Sequence, residues 1–314
     1  MRLAHCSDLH LLSLTGAGML DFANKRWIGG LNLLMNRGRH HRTEIFVDMV
    51  ADLNAQSVDH ILVTGDVTNL ALDEEFRFAK THIENLDLGA DQITVIPGNH
   101  DAYVKAGATY FKKHFNDYYE SDADAAEHLR GESWPTVRRR GAVTIFGIST
   151  SLKTPWFTAY GVCGKAQLSR LRSALLDEKY ADSLRLVAIH HSPAEPRARS
   201  RVRGLRDRKD LYKVLEETGA ELILHGHEHL DLSAVLPGRD GQIPVRGIQS
   251  GTYDAGEEAM HRRARYRIFE IADTCKDGER PTVISEELRI WDPENSSFIV
   301  DDALNEAGSV SASA

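Results

Sequence analysis

Short apolar runs punctuate the chain, and many of them stop at a glycine or at a polar motif. Runs at 2–6, 60–64, 92–97, 143–148, 184–190, 221–225, 244–249, 266–271 and 283–290 read as strands. Between several of them apolar positions recur at helical spacing. The segment 43–56 places Ile45, Met49 and Leu53 on one face, and 74–86 sets Phe78 and His82 four apart. The segments 167–176 and 211–218 carry the same period. Strands that alternate with helices predict an α/β fold, and the later strands without helices predict an antiparallel part. One domain is expected over 1–292, followed by a C-terminal segment, 293–314, whose small polar end EAGSVSASA predicts disorder.

Two stretches break this rhythm. In 22–42, FANKRWIGGLNLLMNRGRHHR, Trp27, Ile28, Leu31, Leu34 and Met35 follow helical spacing. The same stretch holds Lys25, Arg26, Arg37, Arg39 and Arg42 and no acid. A basic amphipathic segment with Trp suits an anionic membrane surface or a lid over a lipid tail. The plainer reading is a helix packed on its own domain, and Gly29 and Gly30 weaken it as an autonomous helix. The second stretch, 195–209, reads EPRARSRVRGLRDRK and follows a histidine pair directly. Arginines there can clamp a second phosphate or an anionic headgroup, or simply face solvent.

The chain's 314 residues, 42% apolar and 27% charged, suffice for a large buried core. A net charge of -8 argues against a general nucleic-acid-binding surface. Three cysteines, Cys6, Cys163 and Cys275, without a CxxC pair, argue against a disulfide framework or a thiolate zinc site. No apolar run is long enough to span a bilayer, and RLAHCSDLH at the start lacks a signal-peptide core. A cytoplasmic location is expected, with peripheral contact to the inner membrane surface through 22–42.

The polar motifs sit just after the strand-like runs. They are SDLH (Asp8, His10), GD (Asp66), GNHD (Asn99, His100, Asp101), HHSP (His190, His191) and GHEH (His227, His229). Ligands in α/β sheets gather beyond the carboxyl ends of strands, so distant residues can meet at one site. An isolated Asp or Asn after a strand is usually a turn former or a helix cap. Turn chemistry does not ask for imidazoles, and here several accompany the carboxylates. Oxygen and imidazole donors without thiolate suit Mn, Fe, Zn or Co. So many donors over-supply one metal and match two. A metal pair can clamp an in-line displacement at phosphorus.

The set Asp8-Leu9-His10, Gly65-Asp66, Gly98-Asn99-His100-Asp101, His190 and Gly226-His227-Glu228-His229 resembles the calcineurin-like metallophosphoesterase superfamily, over about residues 1–230. The resemblance implies a four-layer α/β/β/α sandwich with two central mixed sheets. It implies Asp8, His10 and His229 on one metal, Asn99, His190 and His227 on the other, and Asp66 bridging both. It further implies attack by a metal-bridging hydroxide, with His100 at the phosphate and Asp101 orienting the His100 ring. Arg203, Arg206 and His191 are expected near the substrate.

The GNHD and HH elements look like those of bacterial cyclic-nucleotide and glycerophosphodiester phosphodiesterases, so a phosphodiesterase is the leading expectation. A second is a lipid-linked pyrophosphatase of the kind that cleaves UDP-diacylglucosamine, although the familiar lipid A hydrolase has Arg where this chain has His100. A third is a metal-binding, membrane-associated regulatory protein without turnover. The GDxVDRG form of protein phosphatases is missing, since residues 65–69 read GDVTN. The expected substrate is an anionic phosphoester, nucleotide or lipid-linked.

Overall fold

The computed structural model of the chain describes residues 1–13, 41–125, 129, 134–254, 256, 261–272 and 280–301. In chain order the first half runs β1 (Arg2–Cys6), α1 (Thr43–Ala55), β2 (His60–Val63), α2 (Asp73–Ile83), β3 (Ile93–Val95), α3 (Gly107–Tyr119), β4 (Thr136–Arg140) and β5 (Val143–Gly147). The second half runs α4 (Lys165–Leu175), β6 (Leu184–Ala188), α5 (Arg208–Thr218), β7 (Leu222–His225), β8 (Leu232–Gly238), β9 (Gly241–Gly247), β10 (Arg265–Ile271), β11 (Val283–Asp292) and β12 (Ser297–Val300). The expected 22–42 segment lies outside the described residues except for its end, as do Cys275 and the tail beyond 301.

Alternation within β1 shows how the layers form. Leu3 faces a core shared with Leu62, Ile96, Ile145, Leu186, Leu224 and Phe269. Ala4 and Cys6 face the other way, among Ile45, Met49, Phe76 and Phe115 of the helices. A strand with apolar residues on both faces is covered on both sides. A third core joins Phe146, Val187 and Ile223 to Leu168, Leu171, Leu211 and Leu215 of α4 and α5. Three cores between four layers make the sandwich that the resemblance implied.

Among the described residues each sheet has six strands, in the orders β12-β11-β10-β1-β2-β3 and β4-β5-β6-β7-β9-β8. Strands β1, β2 and β3 are parallel to one another, as are β5, β6, β7 and β9. The remaining strands attach antiparallel, so both sheets are mixed. Helices α1 and α2 serve as crossovers in the first sheet, and α4 and α5 in the second. The carboxyl ends of β1, β2, β3, β6 and β7 therefore carry the polar motifs. Pairing of β12 with β11 takes the sheet past the expected boundary at 292. No described helix is long and apolar enough to cross a membrane.

Candidate metal centre

The predicted ligands follow the strands by two to four residues, in turns that the chain stitches together. The Asp8 N–H donates to the Gly65 carbonyl (2.9 Å), and the His10 N–H to the Asp66 carbonyl (2.9 Å). The Gly226 N–H donates to the His190 carbonyl at 3.1 Å, which ties the second sheet's two motifs together. Asp8, His10, Asp66, His227 and His229 all have left-handed backbones, with φ of 54°, 46°, 53°, 69° and 50°. Such a conformation is costly for residues with a Cβ, and clustered cost points to a functional constraint. Gly98 has its own reason: a Cβ there would run into the Asp66 carboxylate.

Ring tautomers follow from the partners. His190 Nδ1 lies 2.7 Å from the Thr64 carbonyl and must donate to it, which leaves a lone pair on Nε2. His227 Nε2 likewise donates to the Arg203 carbonyl at 2.9 Å, which leaves the lone pair on Nδ1. Both lone pairs face the Asn99 Oδ1, at 3.1 Å from His190 and 2.8 Å from His227. A second proton on His190, which Asp66 favours, can satisfy only one of these contacts and leaves the neutral His227 lone pair facing Asn99 Oδ1. A cation among them reconciles all three.

The second group of donors lies beside the first. Asp8 Oδ1 is 3.2 Å from His229 Nε2, and His10 Nε2 is 3.2 Å from the same nitrogen. Asp66 Oδ2 stands between the groups, 3.4 Å from His190 Nε2 and 4.0 Å from His10 Nε2. Metals of this class hold N and O donors at about 2.0–2.2 Å, so neighbouring donors on one ion sit about 3 Å apart. The observed spacings fit that. Asp8 Oδ1 is buried and accepts no hydrogen bond, while Asp8 Oδ2 accepts the His227 N–H at 2.9 Å. An orphaned carboxylate oxygen among imidazoles offers a cation a ligand that no proton donor has claimed. The residues present therefore fit two metal ions, with Asp66 shared.

Electrostatics agree. Burial pushes the Asp66 carboxyl up, but the imidazoles of His190 and His100 outweigh it and hold it down. Burial pushes His190 down, and the Asp66 carboxylate overrides that and raises it to about 9. Asp8 is lowered too, because His229 outweighs its burial. The two carboxylates thus draw positive charge into the site.

Other predicted residues take different places. The His100 N–H donates to Asp66 Oδ1 at 2.6 Å, and its Nδ1 donates to the Asn69 carbonyl at 2.7 Å. The ring stands edge-on to His10 with centroids 4.8 Å apart. Asp101 does not hold that ring, contrary to expectation. Its carboxylate accepts from the N–H groups of Gly98 (2.8 Å), Thr68 (3.0 Å) and Val67 (3.3 Å), and from the Thr68 hydroxyl. It braces the two loops against each other. Burial and the charge of Asp66 push its carboxyl up to about 7.

His191 is also corrected. It is fully buried, and both ring nitrogens are engaged, Nδ1 with the Thr150 hydroxyl (2.7 Å) and Nε2 with the Ala159 carbonyl (3.0 Å). Burial, then the neighbouring His190, lowers it to about 3, so it is a neutral support rather than a substrate contact. The Arg203 guanidinium donates to the His227 carbonyl at 2.9 Å, and Arg206 lies over the Tyr160 ring at 3.2 Å. Both basic residues are engaged beside the ligands rather than aimed between them.

His41 joins the site unexpectedly. Its ring centroid lies 4.5 Å from that of His10 and 5.6 Å from that of His229. One nitrogen of each of these three rings lies within 4.8 Å of the others. His41 Nδ1 faces the Thr252 hydroxyl at 3.0 Å. That hydroxyl already donates to the Leu9 carbonyl at 2.7 Å, so Nδ1 is the donor and Nε2 keeps the lone pair. The sequence grouped His41 with the basic stretch. Nothing in a lone His-Arg before a helix signals a return to β1.

Residues 1–231 match the description "Calcineurin-like phosphoesterase". The chain is similar to a probable glycerophosphodiester phosphodiesterase GpdQ from Arcobacter nitrofigilis, 29% identical over 137 residues. That match spans 44% of this chain and 43% of the relative, less than half of either. A dimetal phosphatase from Danio rerio superposes over 90% of this chain and 98% of its own, with a TM-score of 0.58 at 10% identity. A purple acid phosphatase from yellow lupin (Lupinus luteus) covers 96% of this chain and 52% of its own, with a TM-score of 0.59 at 10% identity. At such identity these two likenesses concern the fold.

Proposed function

The chain belongs to the calcineurin-like phosphoesterase family, and from that premise we propose that this metal-dependent phosphoester hydrolase is a phosphodiesterase with a dinuclear centre. One observation carries the reading: Asp66 Oδ2 stands between two sets of donors, 3.4 Å from His190 Nε2 on one side and 4.0 Å from His10 Nε2 on the other. Asp8, His10 and His229 would hold one ion and Asn99, His190 and His227 the other. Two such ions, when bound, acidify a shared water and offset charge on the phosphoryl oxygens.

The chain's own groups do the rest. Thr64 and Arg203 carbonyls fix the tautomers of His190 and His227, so each presents a lone pair without rearranging. Asn69 holds the His100 Nδ1 proton, so Nε2 faces outward and donates to the leaving alkoxide when the ring is the imidazolium. Asp101 keeps the GD and GNHD turns in register.

Preference for a diester rests on charge. A monoester dianion is usually gripped by a guanidinium fork. Arg203 and Arg206 are engaged with the His227 carbonyl and the Tyr160 ring. A diester monoanion needs less. The likeness to a GpdQ-type phosphodiesterase points the same way. The test compares purified, manganese-loaded protein on bis(p-nitrophenyl) phosphate, p-nitrophenyl phosphate, a cyclic nucleotide and a glycerophosphodiester. The expected result is faster turnover of diesters. Hydrolysis of the monoester with diesters untouched would overturn it.

A further inference from the structure

Trp156 and Phe157 are the only aromatic side chains among the exposed large hydrophobics of the described residues, at 57% and 77% exposure. They are adjacent, and Val202 of the neighbouring loop is exposed with them. Phe157 also has a φ of 63°, a conformation that disfavours a bulky side chain. An aromatic that is both strained and unburied returns nothing to the fold.

The loops beneath this tip are hydrogen-bonded to each other. The Ala159 N–H donates to the Val202 carbonyl at 2.8 Å, and the Gly161 N–H to the Gly204 carbonyl at 3.1 Å. The Thr158 hydroxyl closes the turn on the Pro155 carbonyl at 2.8 Å. The platform is fixed to the metal centre at two points: His191 donates to the Ala159 carbonyl, and His227 to the Arg203 carbonyl.

Its rim is basic. Lys153, Arg201, Arg203 and Arg206 are exposed around the tip. Acids nearby are already engaged: Glu195 with Arg199 and Arg208, Glu228 with Arg197, and Asp207 with the N–H groups of Cys163 and Gly164. Among the described residues no carboxylate pairs with Lys153, Arg201 or Arg206. This local excess of positive charge stands on a chain whose net charge is -8.

We propose that this platform docks the protein on an anionic lipid surface, with Trp156 and Phe157 entering the headgroup region and the metal centre held beside it. Size decides between a bilayer and a protein partner. The three exposed side chains offer roughly 350 Å², against about 800 Å² per partner in a stable protein interface. That area suits a shallow wedge, and basic residues at its rim each strengthen partitioning onto an anionic leaflet about fivefold.

The test is flotation of the full chain with vesicles of phosphatidylglycerol and phosphatidylcholine in equal parts, and with phosphatidylcholine alone. Wild type is expected to float with the mixed vesicles only, less so at high salt. Trp156→Ser with Phe157→Asn should weaken partitioning about tenfold or more, and Lys153→Glu with Arg201→Glu should weaken it similarly. Turnover of a soluble diester should be unchanged in both variants. Asn tolerates the left-handed backbone, so the first variant should melt no lower than wild type. Three results would each overturn the proposal: wild type that floats with neither vesicle, equal binding to both, or binding that survives the Trp156/Phe157 variant.

Discussion

Histidines inside the sheets and histidines at their rim share a ring and differ in everything around it. His5 in β1 and His60 in β2 are fully buried, and each reaches one threonine hydroxyl at 2.9 Å, Thr64 and Thr94 respectively. Burial, followed by nearby arginine charge, keeps both well below the ordinary imidazole range, so they are neutral. Just past the ends of β6 and β7, His190 and His227 are equally buried, but a carbonyl fixes one proton on each ring and the other nitrogen faces Asn99 Oδ1. Depth of burial therefore does not distinguish a ligand from a core residue. What the second ring nitrogen faces does: a single threonine hydroxyl in the core, a cluster of carboxylate and amide oxygens at the rim.

Removing the shared carboxylate tests that distinction most severely. Asp66→Ala leaves two donor groups with nothing between them. Diester turnover should fall by about a thousandfold or more, and the purified protein should hold less metal by elemental analysis. Wild-type turnover in this variant would end the two-metal reading.

His41 comes next, as a ring on the rim that the strand pattern did not assign there. If it supports the ion at Asp8, His10 and His229, His41→Ala should weaken one of two metal-binding steps about tenfold to a hundredfold. Calorimetric titration of the apo-protein with manganese reads this directly, without reference to activity. Two unchanged binding steps would place His41 among the supports.

What the sequence showed depends on where each residue's partners lie. The strand runs were legible because burial on both faces demands continuous apolar stretches, as in HILV of β2. The seven proposed ligands were legible because each follows such a run within a few residues. Strand β4, TVRRR, was not legible, since its Arg138 is buried and donates to the carbonyls of Ile93 and Tyr118, each at 2.6 Å. A charged residue that turns inward defeats a hydropathy pattern. Helix α3 was overlooked too; its buried face is mostly aromatic, with Phe111, Phe115, Tyr118 and Tyr119. The role that the resemblance implied for Asp101 could not be checked in the sequence, because its donors come from Thr68 and Val67 on a distant turn and from Gly98.

Proton release sharpens the comparison on a smaller scale. His190 is raised to about 9 by Asp66, so without metal it carries a proton at neutral pH. Metal binding must expel that proton. Affinity should then fall about tenfold for each unit of pH lost below 9 from this group alone. Calorimetry in buffers of different ionisation enthalpy would count the protons, and a count of zero would contradict the arrangement.

The interior half predicts the smallest effect, and one with the opposite signature. His60→Leu should leave metal content and diester turnover within about twofold, since nothing links that ring to the ligands. At neutral pH it should cost about 1–2 kcal/mol, because Thr94 loses its partner's hydrogen bond. The pH dependence follows from the ring's neutrality. A folded-state pKa held well below 6.5 means that the unfolded chain binds a proton the folded chain refuses. Wild type therefore loses stability as pH falls through about 6.5, by up to about 1.4 kcal/mol per unit for this group, and the variant escapes that part. The gap between them should close and then reverse in mild acid. Urea melts of the two apo-proteins at neutral and mildly acidic pH measure it, with the metal centre's own proton uptake common to both. A gap that stays constant or widens on acidification would mean that His60 is protonated within the sheet, and the contrast between interior and rim would fail at its quieter end.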